Sequence, residues 1–289
     1  MTTTTTTVVA DRRPRLGATA RRYLGAFRTG RGIVAAIMIV GLTLLGFLAP
    51  VIFPSGFDVQ TDLALKGPSL QHLFGTDELG RDIFVRSVYG LRTDLELVYI
   101  AVPITMIVGT LIGLLGALSR IAGTVTQRVL DIILGFPSLI LGISVVLVLG
   151  SGFSGLLLSI VIIGLPTFGR LARQTMLSQQ QREYVIAART LGLGRWRIMG
   201  RHILPNIVDP IIVQGAVFIV HAVFIEAALS IVGLGIQPPQ PSLGALLDTG
   251  MRYINQSPTY IVGPIIILLL LAFGFTLLTD ALNKTANRA

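Results

Sequence analysis

Apolar residues along the chain gather in six long runs, at about 33–53, 97–118, 132–150, 154–169, 211–234 and 259–280, separated by polar stretches. A bilayer core about 30 Å thick takes roughly 20 apolar helical residues to cross. The pattern therefore predicts an all-α membrane protein with six transmembrane helices. The fourth run is the weakest, interrupted by Gly164 and Pro166, but membrane helices tolerate both residues when neighbours satisfy the freed backbone. The run from Ile33 to Phe53 is too long for a signal-peptide core and lacks a convincing cleavage site, so it is expected to stay as the first span. Even spacing of the runs predicts one membrane domain over 33–282. A basic segment over 1–32 precedes it, with a low-complexity Thr2–Thr7 run expected to be disordered, and a short tail over 283–289 follows.

Alternation of the spans puts two long loops, about 54–96 and 235–258, on the same side. The first is acidic overall. The second opens Gln237-Pro238-Pro239-Gln240-Pro241-Ser242, where the prolines favour extended chain. Ser242 is placed to cap a short helix carrying Leu243, Leu246, Leu247 and Met251, lying at the interface or tucked against the bundle.

The stretch 182–206, between the fourth and fifth spans, has a different character, being rich in arginine and hinged by glycine. A helix over 183–191 puts Tyr184, Ala187, Ala188 and Leu191 at i, i+3, i+4 and i+7, on one apolar face. The two alanines leave that face shallow, open to close approach by another surface. Gly192 and Gly194 are placed to stop the helix. Arg195, Arg197 and Arg201 follow on a second short element, which Pro205 closes before the fifth span. Such a segment either lies on anionic lipid or docks a cytoplasmic partner. The shallow face and the hinge favour docking, since lipid requires neither.

Only 13% of the residues are charged, against about 25% in soluble domains, which confirms a membrane-embedded class. The net charge of +9 comes from 21 arginines and two lysines that flank the apolar runs, a pattern of membrane orientation rather than of nucleic-acid binding. Eighteen of these 23 residues fall on the side of the N-terminal segment; Lys66, Arg81, Arg86, Arg92 and Arg252 make up the other side. The positive-inside rule then places both termini and the 183–205 segment in the cytoplasm.

Little in the chain suggests catalysis. It has no cysteine, which removes disulfides, thiol chemistry and cysteine-ligated metals. Lys66 precedes Gly67 and Lys284 follows Asn283, so neither lysine sits in a phosphate-binding Gly-x-x-x-x-Gly-Lys-Ser/Thr loop. No Gly-x-Ser-x-Gly elbow occurs, and His72, His202 and His221 are scattered without metal-ligand spacing. No catalytic, cofactor-binding or metal-binding residue is expected. A membrane-embedded enzyme would want clustered polar residues within the spans. A stand-alone secondary transporter would want broken helices in corresponding halves with charges at mid-membrane, and one such charge, with no evident internal repeat, is weak support.

The 183–205 segment resembles the cytoplasmic loop of permease subunits of ATP-binding-cassette importers. That loop reads Glu-Ala-Ala, three residues, Gly, nine residues, Ile, one residue, Leu-Pro. Ala187, Ala188, Gly192, Leu204 and Pro205 match at that spacing, while Ile186 and His202 stand where the pattern has Glu and Ile, and Glu183 lies one turn before the missing Glu. The block from His72 to Asp82, including Gly75, Thr76, Asp77, Gly80, Arg81 and Asp82, resembles the first outer loop of the "C" permease subunit of dipeptide, oligopeptide and nickel importers. Phe136-Pro137-Ser138 and Glu226-Ala227-Ala228-Leu229-Ser230 are similar to the same subfamily, and the resemblance covers about residues 30–282.

The resemblance implies a type I importer permease fold in the bacterial plasma (inner) membrane. It implies pairing with a second, homologous permease, delivery of di- or oligopeptides (or nickel or another small solute) by an external binding protein, and docking of one fused or two separate ATPases. ATP and its magnesium would be used by the ATPase, and the coupling contacts would come from Glu183, Tyr184, Ala187, Ala188, Leu191, Gly192, Arg195, Arg197, Leu204 and Pro205. Glu226 is the one acidic residue deep within a predicted span, where charge is costly and function is the default expectation. It is expected to touch the substrate path, to make a structural hydrogen bond, or to contact the partner permease. His221, about 140° away around the helix, need not face it.

Overall fold

The computed structural model describes Phe27 and residues 29–286. Thr2–Thr7, the six arginines of the basic segment before Arg31, and Arg288 lie outside the described residues. Among the described residues, eleven α-helices follow one another: α1 (Gly30–Phe47), α2 (Ala49–Ile52), α3 (Ile83–Gly116), α4 (Arg120–Gly135), α5 (Ser138–Leu149), α6 (Phe153–Gln180), α7 (Glu183–Thr190), α8 (Arg195–Ile198), α9 (Leu204–Ile231), α10 (Leu243–Arg252) and α11 (Val262–Ala286). A π-turn (Met199–Ile203) joins α8 to α9, and a 3₁₀ turn (Pro258–Tyr260) precedes α11. Among the described residues, α1, α3, α6, α9 and the stretch Pro258–Thr285 are long and apolar enough to cross a bilayer, and α4 with α5 makes a sixth crossing if the bent pair counts as one.

Polar residues set the starts of the helices. Thr29, Asp82, Ser119 and Ser242 each accept a backbone N–H from the first turn of α1, α3, α4 and α10, satisfying donors that a helix leaves unpaired. The cap at Asp82 starts α3 fourteen residues before the predicted second span at 97, so the first outer loop ends at residue 82 rather than 96. The third predicted span, 132–150, is not one helix. α4 and α5 meet at a 96° bend, with Phe136 extended at φ −93°, ψ 138°. Pro137 explains this, because a proline pushes the residue before it out of the helical region. The fourth span, by contrast, runs unbroken through Gly164 and Pro166 from Phe153 to Gln180.

The most extensive packing is α3 against α6. A Cβ on Gly113 would lie 2.2 Å from the carbonyl oxygen of Gly169 and 3.0 Å from Cβ of Ala172, so small residues set the closeness of this crossing, as they do in membrane bundles. Phe168 of α6 and Phe218 of α9 meet edge to face at 5.4 Å beside it. The core continues through Leu91, Val98, Ile160, Ile207 and Leu271. α1 packs on α11, and Arg31 lies 3.9 Å from Asp280, which puts the start of α1 and the end of α11 at the same end of the bundle.

Candidate functional site

The segment after α6 folds as a helical hairpin. α7 begins with Glu183 in its first turn and carries Arg189 in its last, each charge favourable for the helix dipole at its end. Gly192 sits at φ +75°. The Leu193 N–H donates to the Ala188 carbonyl at 3.2 Å and the Gly192 N–H to that of Arg189 at 3.0 Å, a glycine-based stop that satisfies the last carbonyls. α8 then runs through the π-turn into α9 without a break. Pro205 therefore does not close an element: it lies in the first turn of α9. It has no N–H to offer the turn before it, which fits the widened π geometry there.

The face predicted for α7 is divided. Ala188 is only 5% exposed and packs inward with Val185, Ile198 and Ile203, so it anchors the hairpin rather than presenting it. Ala187 and Leu191 face outward, Leu191 at 81% exposure. Tyr184 is a staple: its hydroxyl donates to Gln179 Oε1 at 2.6 Å and accepts from Asn206 Nδ2 at 3.4 Å, tying α7 to the end of α6 and the start of α9. Burial pushes its phenol up, outweighing the Asn206 hydrogen bond and the Arg182 charge. Glu183, Arg197 and Leu204 are exposed and Pro205 is half-buried; the side chain of Arg195 lies outside the described residues. Ile186 and Trp196, 61% exposed, are uncovered like Leu191, and Arg182, Arg189, Arg197 and Arg201 of the same segment are exposed too. A cavity of ≈ 450 Å³ separates part of the hairpin from Ala117, Leu118 and Met176.

At the other end of α3, the His72–Asp82 block closes on itself. Buried Asp77 accepts the Leu79 and Arg81 N–H groups on Oδ1, both at 2.9 Å, and Arg81 Nε on Oδ2 at 2.6 Å. Arg81 also donates to Asp58 and Glu78, both at 3.0 Å. Burial opposes the Arg81 charge, but Asp58, Asp77 and Glu78 outweigh it and raise its pKa. Thr76 bonds the Leu63 carbonyl and the Lys66 N–H, while His72 Nδ1 holds Asp82 Oδ2 at 2.7 Å. Gly80 takes φ +72°, and a Cβ there would lie 2.0 Å from the Thr61 carbonyl oxygen; Gly75, at φ +84°, is also enclosed, by the Lys66 carbonyl. Tyr260 donates to Glu78 at 3.2 Å, linking the loop to the start of α11.

Residues 109–288, which include the hairpin and α9, match the family described as binding-protein-dependent transport system inner membrane component. The chain belongs to this family. It is 38% identical over 253 residues to the dipeptide transport system permease protein DppC of Alkalihalophilus pseudofirmus, covering 87% of this chain and 83% of that one. It is 34% identical over 268 residues to the glutathione transport system permease protein GsiD of Pectobacterium atrosepticum, covering 91% and 87%. The fold is shared with the MetNI methionine ABC transporter in inward-facing form, at TM-score 0.56 and 17% identity over 70% of this chain and 95% of that one. The chain is thus a multi-pass membrane permease component of an ABC transporter family whose permeases are not themselves catalytic.

In this permease, Glu226 of α9 is fully buried and accepts the Ser230 hydroxyl at 2.6 Å. His221 is exposed, so the structure does not bring the two together. Glu226 is not the one deep acid either. Asp94 of α3 is 1% exposed and accepts the Leu243 N–H at 3.2 Å. The apolar run that begins at 97 puts Asp94 in the outer loop, because the flanking charges Arg92 and Glu96 mask the continuation of α3. The signal that finds it is the Asp82 cap.

Proposed function

We propose that this permease forms half of the membrane path of an ATP-driven peptide importer and takes its energy from a cytoplasmic ATPase docked on residues 183–205. The observation that carries the reading is the outward surface of the hairpin. Ile186, Leu191 and Trp196 stand exposed on the same hairpin as the exposed Arg182, Arg189, Arg197 and Arg201, a hairpin rooted in the core by Val185 and Ala188. Apolar and basic side chains exposed together fit an apolar groove with acidic edges. Movement of a docked partner would pass to α6 and α9 as rigid levers, giving alternating access. The excess of arginine at this end of the bundle supports a cytoplasmic hairpin and cytoplasmic termini. The exposed stripe Ile121, Val125, Val129 and Ile132 on α4 supports pairing with a second permease. The peptide substrate is supported by relatives whose names specify dipeptide, di/tripeptide and glutathione transport.

The test is purification in mild detergent, identification of co-purifying chains, and uptake by the reconstituted complex with its external binding protein. The expected result is a second permease, one fused or two separate ATPases, and ATP-dependent uptake of labelled dipeptides that unlabelled dipeptide, but not nickel, competes away. Uptake driven by an ion gradient without ATP would overturn the reading.

A further inference from the structure

The N-terminus of α10 is wedged between α3 and α9, with Asp94 on one side of it and Glu226 on the other. On the α3 side, a Cβ on Gly90 would lie 3.0 Å from the Ser242 carbonyl carbon and 3.1 Å from the Leu243 nitrogen. On the α9 side, a Cβ on Gly244 would lie 2.6 Å from Ser230 Cβ and 2.9 Å from Ala227 Cα. The Leu243 N–H reaches Asp94, and Ser230, against which Gly244 packs, donates to Glu226. The Glu226 charge reaches Asp94.

The charges around the pair do not balance. Both carboxyls are buried, and Asp94 Oδ1 and Glu226 Oε2 each lack a hydrogen-bond partner. Basic groups on the surrounding elements are engaged elsewhere. On α3, Arg86 faces Asp77 and Asp58, and Arg92 pairs with Glu96. On α10, Arg252 pairs with Asp248. On α9, His221 is exposed. Tyr260, before α11, is bonded to Glu78. α5 carries no titratable residue, and those of α6 and α11 (Arg170, Arg173, Asp280, Lys284) lie toward the opposite end. What faces the two acids is one helix N-terminus and the Ser230 hydroxyl. The partial charge of a helix N-terminus suits a single anion. Two adjacent carboxylates in a dry site do not both ionise.

We propose that Asp94 and Glu226 form a proton-binding site, the buried pair together holding one proton, and that this proton fastens α10 across α3 and α9. On deprotonation the carboxylic acid of the pair gives its proton to solvent water, leaving two carboxylates that repel, and α10 loosens. The folded state takes up the proton and the loosened state does not, so the clamp is strong at low pH and weakens as pH rises. Gly90 lies about 40 Å along α3 from Ala117, beside the hairpin cavity, so the site is remote from the hairpin and independent of what docks there.

The chain has no cysteine, so single thiols report cleanly. In the full-length protein, as purified with its partners, Leu246→Cys places a thiol on the buried face of α10 and Met251→Cys places an exposed reference on the same helix. The ratio of their maleimide labelling rates cancels the thiol's own titration. From about pH 5 to about pH 9 that ratio is expected to rise, with a slope approaching tenfold per pH unit once the proton leaves, the limit for one linked proton. Asp94→Asn and Glu226→Gln each leave a single anion beside a neutral amide, and each is expected to flatten the profile. Infrared spectra of the protein without substitutions are expected to show a protonated carboxyl band that fades over the same pH range, a readout independent of whether the variants fold. A flat ratio, a slope that persists in both amide variants, or absence of the carboxyl band would overturn the proposal. Protection by sodium at fixed high pH as strong as that by protons would replace it with a cation site.

Discussion

Gly192 offers the sharpest test of the hairpin. Its φ of +75° lies in the left-handed region, and an added Cβ would meet nothing within 4 Å. Substitution therefore costs backbone strain rather than a clash, about 1–2 kcal/mol for an ordinary L-residue, most for a β-branched one and little for asparagine, which visits this region readily. One or two kcal/mol shifts a conformational equilibrium by about 5–30-fold. The structure thus orders a series: Gly192→Asn near the parent protein, Gly192→Ala intermediate, and Gly192→Val with uptake per ATP hydrolysed reduced by about 5–30-fold. Membrane insertion and yield should hold throughout, because Val185 and Ala188 root the hairpin independently. The assay is ATP hydrolysis and labelled-peptide uptake measured together in proteoliposomes. A normal ratio in Gly192→Val would refute the strain argument, as would Gly192→Asn failing as badly as valine.

Gly113→Val drives a Cβ toward the Gly169 backbone, where no side-chain rotation relieves it, so α3 and α6 must part; a loss of about 1–3 kcal/mol should appear as a lower thermal midpoint in detergent. Asp77→Ala strips Arg81 and Arg86 of their buried carboxylate, and breaking such a pair costs about 3–5 kcal/mol, read as faster proteolysis within 54–82. Asp131→Asn removes an exposed pair with Arg170 and should change stability by less than about 1 kcal/mol, a contrast that checks burial as the cause of the Asp77 effect.

Long-range and local patterns were legible to different depths. The spans could be read from apolar run length because each is set by bilayer thickness, a one-dimensional constraint. The cap at Ser242 and the stop at Gly192 were legible because both act within a single turn. The break at Pro137 was written locally too, yet the apolar composition on either side masked it. The start of α3 was missed because Arg86, Arg92, Asp94 and Glu96 read as loop residues, whereas Arg86 finds Asp77 and Arg92 finds Glu96.

Sequence therefore sufficed for the class of protein, five of its crossings, the polar hairpin and the absence of a phosphate loop, all of which depend on composition and short-range spacing. Folding was needed to turn Ala188 inward and Ile186 and Trp196 outward, since which side of a short helix is covered depends on α9 and the end of α6, remote in the chain. It was also needed to bring Asp94 and Glu226 to the start of α10. They are separated by most of the bundle in sequence, and that placement depends on two glycines that let a third helix slip between, a packing event that residue order does not encode in any single stretch.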